Sequence, residues 1–580
     1  MRDRELIYMW IASTSNRAVF INQGIQFSNN YIVNISIDEY NVVQSVDIRK
    51  KENLYESIYG NNIINISALV GINGMGKTTL LDMLGTTRAF RKRYVYQWEY
   101  FMIYRIDNIY VIEGNGKAII NEIVEKKPDL INESYSLICQ YAPERKKFKF
   151  NRLCYEEGDI EKSIKYIYFH DKPIDEQGFL TREIDLDYDY STCFERIAMY
   201  SSPANIYKTC FFLKYDNNIN KSINLNNLNF YVHPNVDLIV KPSKMLTPEI
   251  RKQIFIFKIL LAIAEKCEDG KKCVDKICGL FGKQRTEYIE FDTDVYRKYK
   301  YDIVREIKNL NSDEKIDFNL LETLVLNLPD EYFMVDDRNR MTAYDDPVFT
   351  IKKEYLKCLY ELLYYFEEYL IFTYSGISAG EKKILDVFSG LFTNILNSKS
   401  NHQEDEMYII LLDEPDKGLH PEMSRCLISW LVKLFGSTGS KFKYQFIITT
   451  HSPFLISDIP IPNIHCLDRN NGCINIEESS YGFLSSIPDI LKDTFFMTSP
   501  FGEFGNLYFS NLVEEIQNFS NIGDRVQRKK LEKKIEIVSD KVLKHYLAES
   551  LEEKIVELSD RDQQILYYEE KIRDLKGKNL

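Results

Sequence analysis

"LVGINGMGKTTLLDMLG", Leu69–Gly85, decides the fold. A strand-like run from Asn65 to Val70 enters a glycine-rich turn, and an apolar helical pattern leaves it. The stretch Gly71-Ile72-Asn73-Gly74-Met75-Gly76-Lys77-Thr78 fits G-x-x-x-x-G-K-[ST], a phosphate-binding loop. Its glycines let backbone N–H groups approach phosphate oxygens without Cβ clashes, and the helix N-terminus adds partial positive charge. Asn73, Gly74, Met75, Gly76, Lys77, Thr78 and Thr79 are therefore the candidate ATP-binding residues. Lys77 is expected to reach the β- and γ-phosphates and Thr78 to ligate Mg²⁺. A chance match in a chain of this length is on the order of one in fifty from average residue usage.

Two later stretches share a design. "YIILLDEPD", Tyr408–Asp416, is an apolar strand ending in acids. On a strand, adjacent acids point to opposite sides. Asp413 is expected to hold Mg²⁺ through its water shell, and Glu414 to polarise the attacking water. By itself such a strand tip reads as readily as a cap or an ion-pair partner; the upstream phosphate loop makes the catalytic reading the stronger one. "FIITTHSP", Phe446–Pro453, places His451 at the end of a second apolar strand, about one helix and one strand after Glu414. A lone histidine there is ordinarily a hydrogen-bonding residue; in this series it is expected to reach the γ-phosphate. "SGISAGEKK", Ser375–Lys383, precedes a helix. Locally it reads either as a helix cap with Glu381 in the first turn or as a donor set for phosphate.

Two chemistry-bearing strand ends, each followed by a turn or helix, predict a parallel α/β sheet. The phosphate loop lies some 300 residues before them, so the nucleotide domain is expected to be split in sequence. The expected divisions are residues 1–90, the first half of the head; 91–370, a β segment and a mainly helical insert; 371–515, the second half; and 516–580, charged helices. Residues 6–70 read as strands, and so does Tyr94–Ile123, with Gly114-Asn115-Gly116 as a hairpin turn. Thr247–Lys266, Lys353–Leu370, Glu381–Leu396 and Met423–Phe435 read as helices.

Composition bounds the partners. A hydrophobic content of 44% and an aromatic content of 13% supply a sizeable core. A formal charge of −12 argues against a wholly basic nucleic-acid coat while leaving room for a local groove. "ERKKFKFNR", Glu144–Arg152, interleaves bases with aromatics; its ordinary reading is an exposed strand face. The eleven cysteines include no CxxC pair, and none has a nearby histidine completing a zinc set, so reduced cysteines and a cytoplasmic setting are expected. Met1–Glu5 lacks the apolar core of a signal peptide. The longest apolar run, Ile254–Ala264, is too short to span a bilayer.

The four blocks together resemble the ATP-binding-cassette type of ATPase. Walker A lies at Gly71–Thr78, the signature at Ile377–Glu381, Walker B at Leu411–Glu414 and the switch histidine at His451. Ile377 stands where leucine is usual, and the family's glutamine loop has two candidates, Gln97 and Gln140. "DEPDKGLHP", Asp413–Pro421, resembles the soluble overcoming-lysogenization-defect and RecF-like branch of AAA-class ATPases. The resemblance implies two heads sandwiching two ATP molecules. Ser378 and Gly380 of one chain would contact the γ-phosphate held by Lys77 of the other, with Asp416 at the dimer contact.

The branch often carries an effector. A Toprim nuclease, an HEPN ribonuclease or an HNH nuclease each needs a residue set that this sequence does not show. Long heptad arms are not seen in the insert. Within the branch the chain most resembles the ATPase (PtuA-like) subunits of Septu-type antiphage systems, on "LIYMWIASTSNRAVFINQGIQFSNNY" and "DTFFMTSPFGEFGNLYFSNLV". That resemblance implies a homodimer or higher homo-oligomer, an HNH nuclease (PtuB-like) partner, antiviral defence and no membrane. Two rival readings stay open: a RecF- or SMC-like ATPase that binds DNA, and an ATP-locked scaffold.

Overall fold

The computed structural model describes residues 4–14, 19–39, 42–52, 57–85, 98–107, 109–115, 134–153, 164–170, 194–200, 229–236, 238–243, 247–267, 269–282, 288–310, 317–333, 348–350, 356–398, 407–436, 442–521, 524–559 and 561–577. Contacts divide the chain into two units, Met1–Phe495 and Phe496–Leu580.

The first unit opens with β1 (Arg4–Thr14), β2 (Ile21–Gln26) and the hairpin β3 (Tyr31–Ile37) and β4 (Val43–Lys50). β5 (Ile63–Gly71) runs into the phosphate-type loop and α1 (Lys77–Gly85). Then come β6 (Trp98–Ile106), β7 (Ile109–Asn115), β8 (Ser134–Ala142), β9 (Lys147–Leu153), β10 (Ile164–His170) and β11 (Phe194–Tyr200). β12 (Asn229–Pro234) and β13 (Ile239–Pro242) precede α2 (Pro248–Glu265) and α3 (Gly270–Leu280). β14 (Tyr288–Phe291), α4 (Thr293–Leu310), α5 (Phe318–Leu326), β15 (Val348–Thr350), α6 (Leu356–Phe366) and β16 (Leu370–Ser375) follow. The signature helix α7 (Ala379–Ser398) leads to β17 (Met407–Leu412), α8 (Pro421–Leu431), β18 (Lys443–Thr449), α9 (Pro453–Ile456), β19 (Ile464–Asn470), β20 (Cys473–Glu478) and α10 (Ile487–Asp493).

The central sheet has the order β11-β10-β17-β18-β5-β19-β20. Its neighbours pair in parallel except β19 with β20. β17 is buried at every position, as a parallel strand covered on both faces must be. Side-chain alternation splits its residues between two layers. Ile410 and Leu412 join Val70, Phe446 and Ile448 against α2, α7 and α8. Ile409 and Leu411 join Leu69 and Ile447 against α1 and the inner face of an antiparallel sheet. That second sheet has the order β2-β1-β6-β7-β8-β9, and its outer face is covered by β3 and β4. Gln445, fully buried on β18, ties the two sheets. Its amide accepts from Leu6 N at 3.0 Å and donates to Leu6 O and Phe27 O, each at 3.1 Å.

The fold is the expected mixed α/β head with an antiparallel β portion, flanking helices and a helical C-terminal segment. Three local expectations are corrected. First, β10 and β11 fall inside the stretch read as an insert, yet they extend the central sheet beyond β17. The head is therefore assembled from three parts of the sequence. Second, Ile106 pairs with Ile109, so the tight turn sits between β6 and β7, where Asp107 has a φ of 52°. Gly114 and Asn115 instead lie within β7, Gly114 paired with Phe101 and Tyr135, while Gly116 lies outside the described residues. Third, the C-terminal unit begins at Phe496 rather than at 516. Its helix α11 (Glu503–Gln517) packs Leu512 and Ile516 with Leu531, Ile535, Leu547 and Leu551 of α12 (Arg525–Glu536) and α13 (Lys541–Leu558). The last helix, α14 (Arg561–Gly577), adds Tyr567 to that cluster. Asp524 and Asp540 cap α12 and α13, each side chain accepting backbone N–H bonds from the first turn.

Candidate functional site

The loop after β5 is shaped by glycine. Gly71 has a φ of 151°, and a Cβ there would lie 2.5 Å from Leu467 O on β19. Gly74, at a φ of 82°, occupies a left-handed conformation that side chains resist. Lys77, only 5% exposed, turns its Nζ back onto the loop and donates to Gly71 O at 2.9 Å and Ile72 O at 3.2 Å. Burial lowers its pKa, and the carboxylates of Glu414 and Asp413 act the other way.

Thr78 connects this loop to the acidic pair. Its Oγ1 donates to Asp413 Oδ2 at 3.1 Å and lies 3.3 Å from Oδ1, although 335 residues separate the two in sequence. Asp413 is fixed from three directions. Its N–H donates to Phe169 O of β10 at 3.0 Å, and its Oδ1 accepts from Thr449 Oγ1 at 2.6 Å. β10 also supports α1, through a 2.7 Å bond from Tyr168 Oη to Asp82.

Glu414 does not sit on the strand. β17 ends at Leu412, and Glu414 takes a φ of 45°, so strand alternation does not set the directions of the two acids, contrary to expectation. Its N–H donates to Thr449 Oγ1 at 2.9 Å, and its carbonyl accepts from Lys383 Nζ on α7 at 3.2 Å. His451 Nε2 lies 3.5 Å from Glu414 Oε1, and Lys417 Nζ lies 3.8 Å from Oε2. Burial lowers the pKa of His451, helped by the Lys77 charge and opposed by Glu414 and Asp413. The loop, Lys77, Thr78, Asp413, Glu414 and His451 thus form one cluster. Asn73, Met75, Gly76 and Thr79 belong to the same loop and helix start.

The signature turn is a reciprocal helix cap. Ser378 N and Oγ both donate to Glu381 Oε2 at 2.8 Å, and Glu381 N donates back to Ser378 Oγ at 3.2 Å. Ser378 is exposed, and Gly380 is buried against Leu419 and Met423. Asp416, after the acidic pair, has an Oδ1 with no hydrogen-bond partner. Burial raises its pKa, and a hydrogen bond with Thr450 opposes the rise.

Hard oxygen donors suit Mg²⁺, and Thr78 Oγ1 and the Asp413 carboxylate are such donors, beside a loop of phosphate-binding shape. The residues fit both groups expected from the sequence. Thr449 and Lys383 were missed by sequence reading. The one signal for Thr449 is a hydroxyl at the last position of an apolar strand; Lys383 gave none. Of the two glutamine-loop candidates, Gln97 lies outside the described residues, and Gln140 is exposed on β8. Within Glu144–Arg152, Phe148 is buried against Tyr110 and Tyr141, while Arg145, Lys146 and Lys149 are exposed. That ring offers no stacking face to a nucleic acid. Among the described residues no cluster of three or more His, Cys, Asp or Glu is poised around a metal, and no helix is long and apolar enough to cross a membrane.

Comparison with known proteins adds three findings. Residues 284–457 match the family model described as "AAA domain, putative AbiEii toxin, Type IV TA system". That span holds Ser378, Gly380, Asp413, Glu414 and His451. Over 112 residues the chain is 34% identical to "Retron Ec83 probable ATPase" of Escherichia coli, 19% of either protein. The chain thus matches about a fifth of the length of that curated relative. A solved structure, "Crystal structure of the SmcHead bound to the C-winged helix domain of ScpA", aligns over 82% of this chain and 97% of its own. Its identity is 10% and its TM-score 0.26, too low to carry an argument. The two sequence matches support an ATPase of the ABC/AAA class.

Proposed function

We propose that this chain binds ATP with Mg²⁺ and hydrolyses it between two copies of its head, and that the cycle controls an effector on another polypeptide. The carrying observation is the contact of Thr78 Oγ1 with Asp413, which brings the phosphate-type loop and the acidic pair into one site. Magnesium, when bound, would neutralise charge on the β- and γ-phosphate oxygens. Lys77 would exchange its loop carbonyls for those oxygens. Glu414, held by Thr449 and Lys383 through its backbone, would orient and deprotonate water. His451, kept neutral by burial, would meet the γ-phosphate beside Glu414.

Ser378 and Gly380 would complete the site from the opposing copy. In the single chain Glu381 occupies both donors of Ser378, so the carboxylate must swing away before a phosphate takes its place. Defence against phage is the biological setting that we favour. One relative is described as the "probable ATPase" of a retron, and the matching family model as an AAA domain of a "putative AbiEii toxin". The sequence resemblance to Septu-type ATPase subunits points to an HNH nuclease as the effector.

The test pairs Lys77→Ala with Glu414→Gln. Lys77→Ala should lose ATP binding. Glu414→Gln should bind ATP and hydrolyse it slowly, because an amide cannot accept the proton from water. ATP binding undiminished in Lys77→Ala, or normal turnover in Glu414→Gln, would refute these roles. An HNH nuclease that copurifies with the chain and changes activity with ATP would support the effector reading; nuclease activity intrinsic to the chain would oppose it.

A further inference from the structure

A cavity of about 370 Å³ lies where the antiparallel sheet meets β19 and the edge strand β20. It is separate from the loop Gly71–Thr78. Its inner wall includes His465, which pairs with Leu69 on β5, while Leu467 pairs with Gly71 at the loop end of the strand. Tyr8 of β1 and Gly24 of β2 form another wall. A Cβ on Gly24 would lie 1.7 Å from Tyr8 Oη, so the glycine makes room for the phenol.

His465 is 4% exposed, and its Nε2 has no hydrogen-bond partner. The ring is also hydrogen-bonded to the backbone of Gln26. A neutral imidazole that donates to a carbonyl through one nitrogen carries an acceptor lone pair on the other. Burial keeps it neutral, with a pKa lowered to about 4. A buried acceptor left unpaired costs free energy, so a donor at this place would be favoured. A further acceptor stands on the same lining, the exposed carboxylate of Glu478 on β20, directly opposite His465 in the β19–β20 register. Tyr31, also on the lining, already has Lys50 Nζ 5.9 Å from its ring centre, so its face tolerates a cation. Lys51 is the lining's one ammonium, and it is exposed to solvent.

We propose that this cavity binds a guanidinium group, with His465 Nε2 and the carboxylate of Glu478 accepting its N–H bonds. A guanidinium presents several N–H donors in a planar fork, so it can serve the inner imidazole and an outer carboxylate together; an ammonium acts as a point charge. The volume exceeds what the head group needs and admits the alkyl stem behind it. The group belongs either to a free guanidino compound or to an arginine side chain of another protein.

Saturation-transfer NMR on the full chain tests this with methylguanidinium at millimolar concentration as the probe and methylurea as its neutral isostere. Transfer is expected to methylguanidinium and not to methylurea. The variant Glu478→Gln, changed only at an exposed position, should bind about tenfold more weakly, as expected for a lost charge-assisted hydrogen bond. His465→Leu should abolish binding while ATP binding is unchanged. Absence of transfer, equal transfer to methylurea, or undiminished binding in Glu478→Gln would overturn the proposal. L-Arginine and N-acetyl-arginine methylamide then separate the sources. Tighter binding of the free amino acid indicates a metabolite, and tighter binding of the blocked form indicates a protein side chain.

Discussion

Thr449 Oγ1 donates to Asp413 Oδ1 at 2.6 Å while accepting the Glu414 N–H at 2.9 Å. One fully buried hydroxyl thereby sets the carboxylate proposed for the metal and the backbone of the residue proposed for the water. Thr449→Val keeps the shape and removes both bonds. It should lower ATP turnover by about 10- to 100-fold through misplacement of the acids, and cost about 1–3 kcal/mol of stability from the unpaired groups. Thr449→Ser should recover most of the turnover. Steady-state ATPase rates and urea unfolding check this; wild-type turnover in Thr449→Val would remove Thr449 from a positioning role.

Gly71 and Gly74 should respond differently to alanine. At Gly71 the new Cβ would meet the Leu467 carbonyl at 2.5 Å, which forces β5 and β19 apart at the mouth of the loop. The expected cost is about 1–3 kcal/mol, with weakened ATP binding. At Gly74 nothing lies within 4 Å of the added carbon, and only the φ of 82° resists it. That cost is about 1–2 kcal/mol. Thermal unfolding of the two variants, read beside nucleotide affinity, checks the order.

His465 gives the first unit a pH dependence with a defined sign. Its folded pKa is lowered to about 4 by burial, against an ordinary value of 6.5. Between those values the unfolded chain binds more protons, so stability rises with pH and is lost on acidification through that window. The full loss is about 3 kcal/mol. Above pH 6.5 the histidine is neutral in both states and contributes no slope. Unfolding midpoints measured from pH 7 to pH 4 should fall more steeply for wild type than for His465→Leu. Parallel profiles would show that His465 is not held neutral.

The shared site can be tested by subunit mixing. Lys77→Ala and Ser378→Arg chains should each be inactive alone. In a mixed dimer one site takes both defects, and the other takes neither, so some ATPase activity should return. Activity that stays at the level of the separate variants, with exchange confirmed by tagged pull-down, would mean that the sites are not shared or that they fire only together. Crosslinking across the interface with trapped ATP separates those two outcomes.

Much of the site was legible because its chemistry is local. Gly71–Thr78 needs glycines at fixed spacing, and β17 and β18 need continuous apolar runs before polar ends. Contacts between distant segments were not legible. Nothing in "IKYIYFH", Ile164–His170, says that it lies beside β17, because sheet partners depend on the whole packing rather than on a local period. The left-handed Glu414 was hidden as well, since glutamate carries no local preference for that conformation. The cap at Ser378 was legible as one of two readings. The structure realises it.

The most direct measurement is a structure of Glu414→Gln with ATP and Mg²⁺. The expected result places the metal against Thr78 Oγ1 and the Asp413 carboxylate, with the γ-phosphate on Lys77. Ser378 of a second copy, freed from Glu381, should reach that phosphate. Nucleotide bound away from the loop Gly71–Thr78, or a metal held without Thr78 and Asp413, would contradict the proposed site.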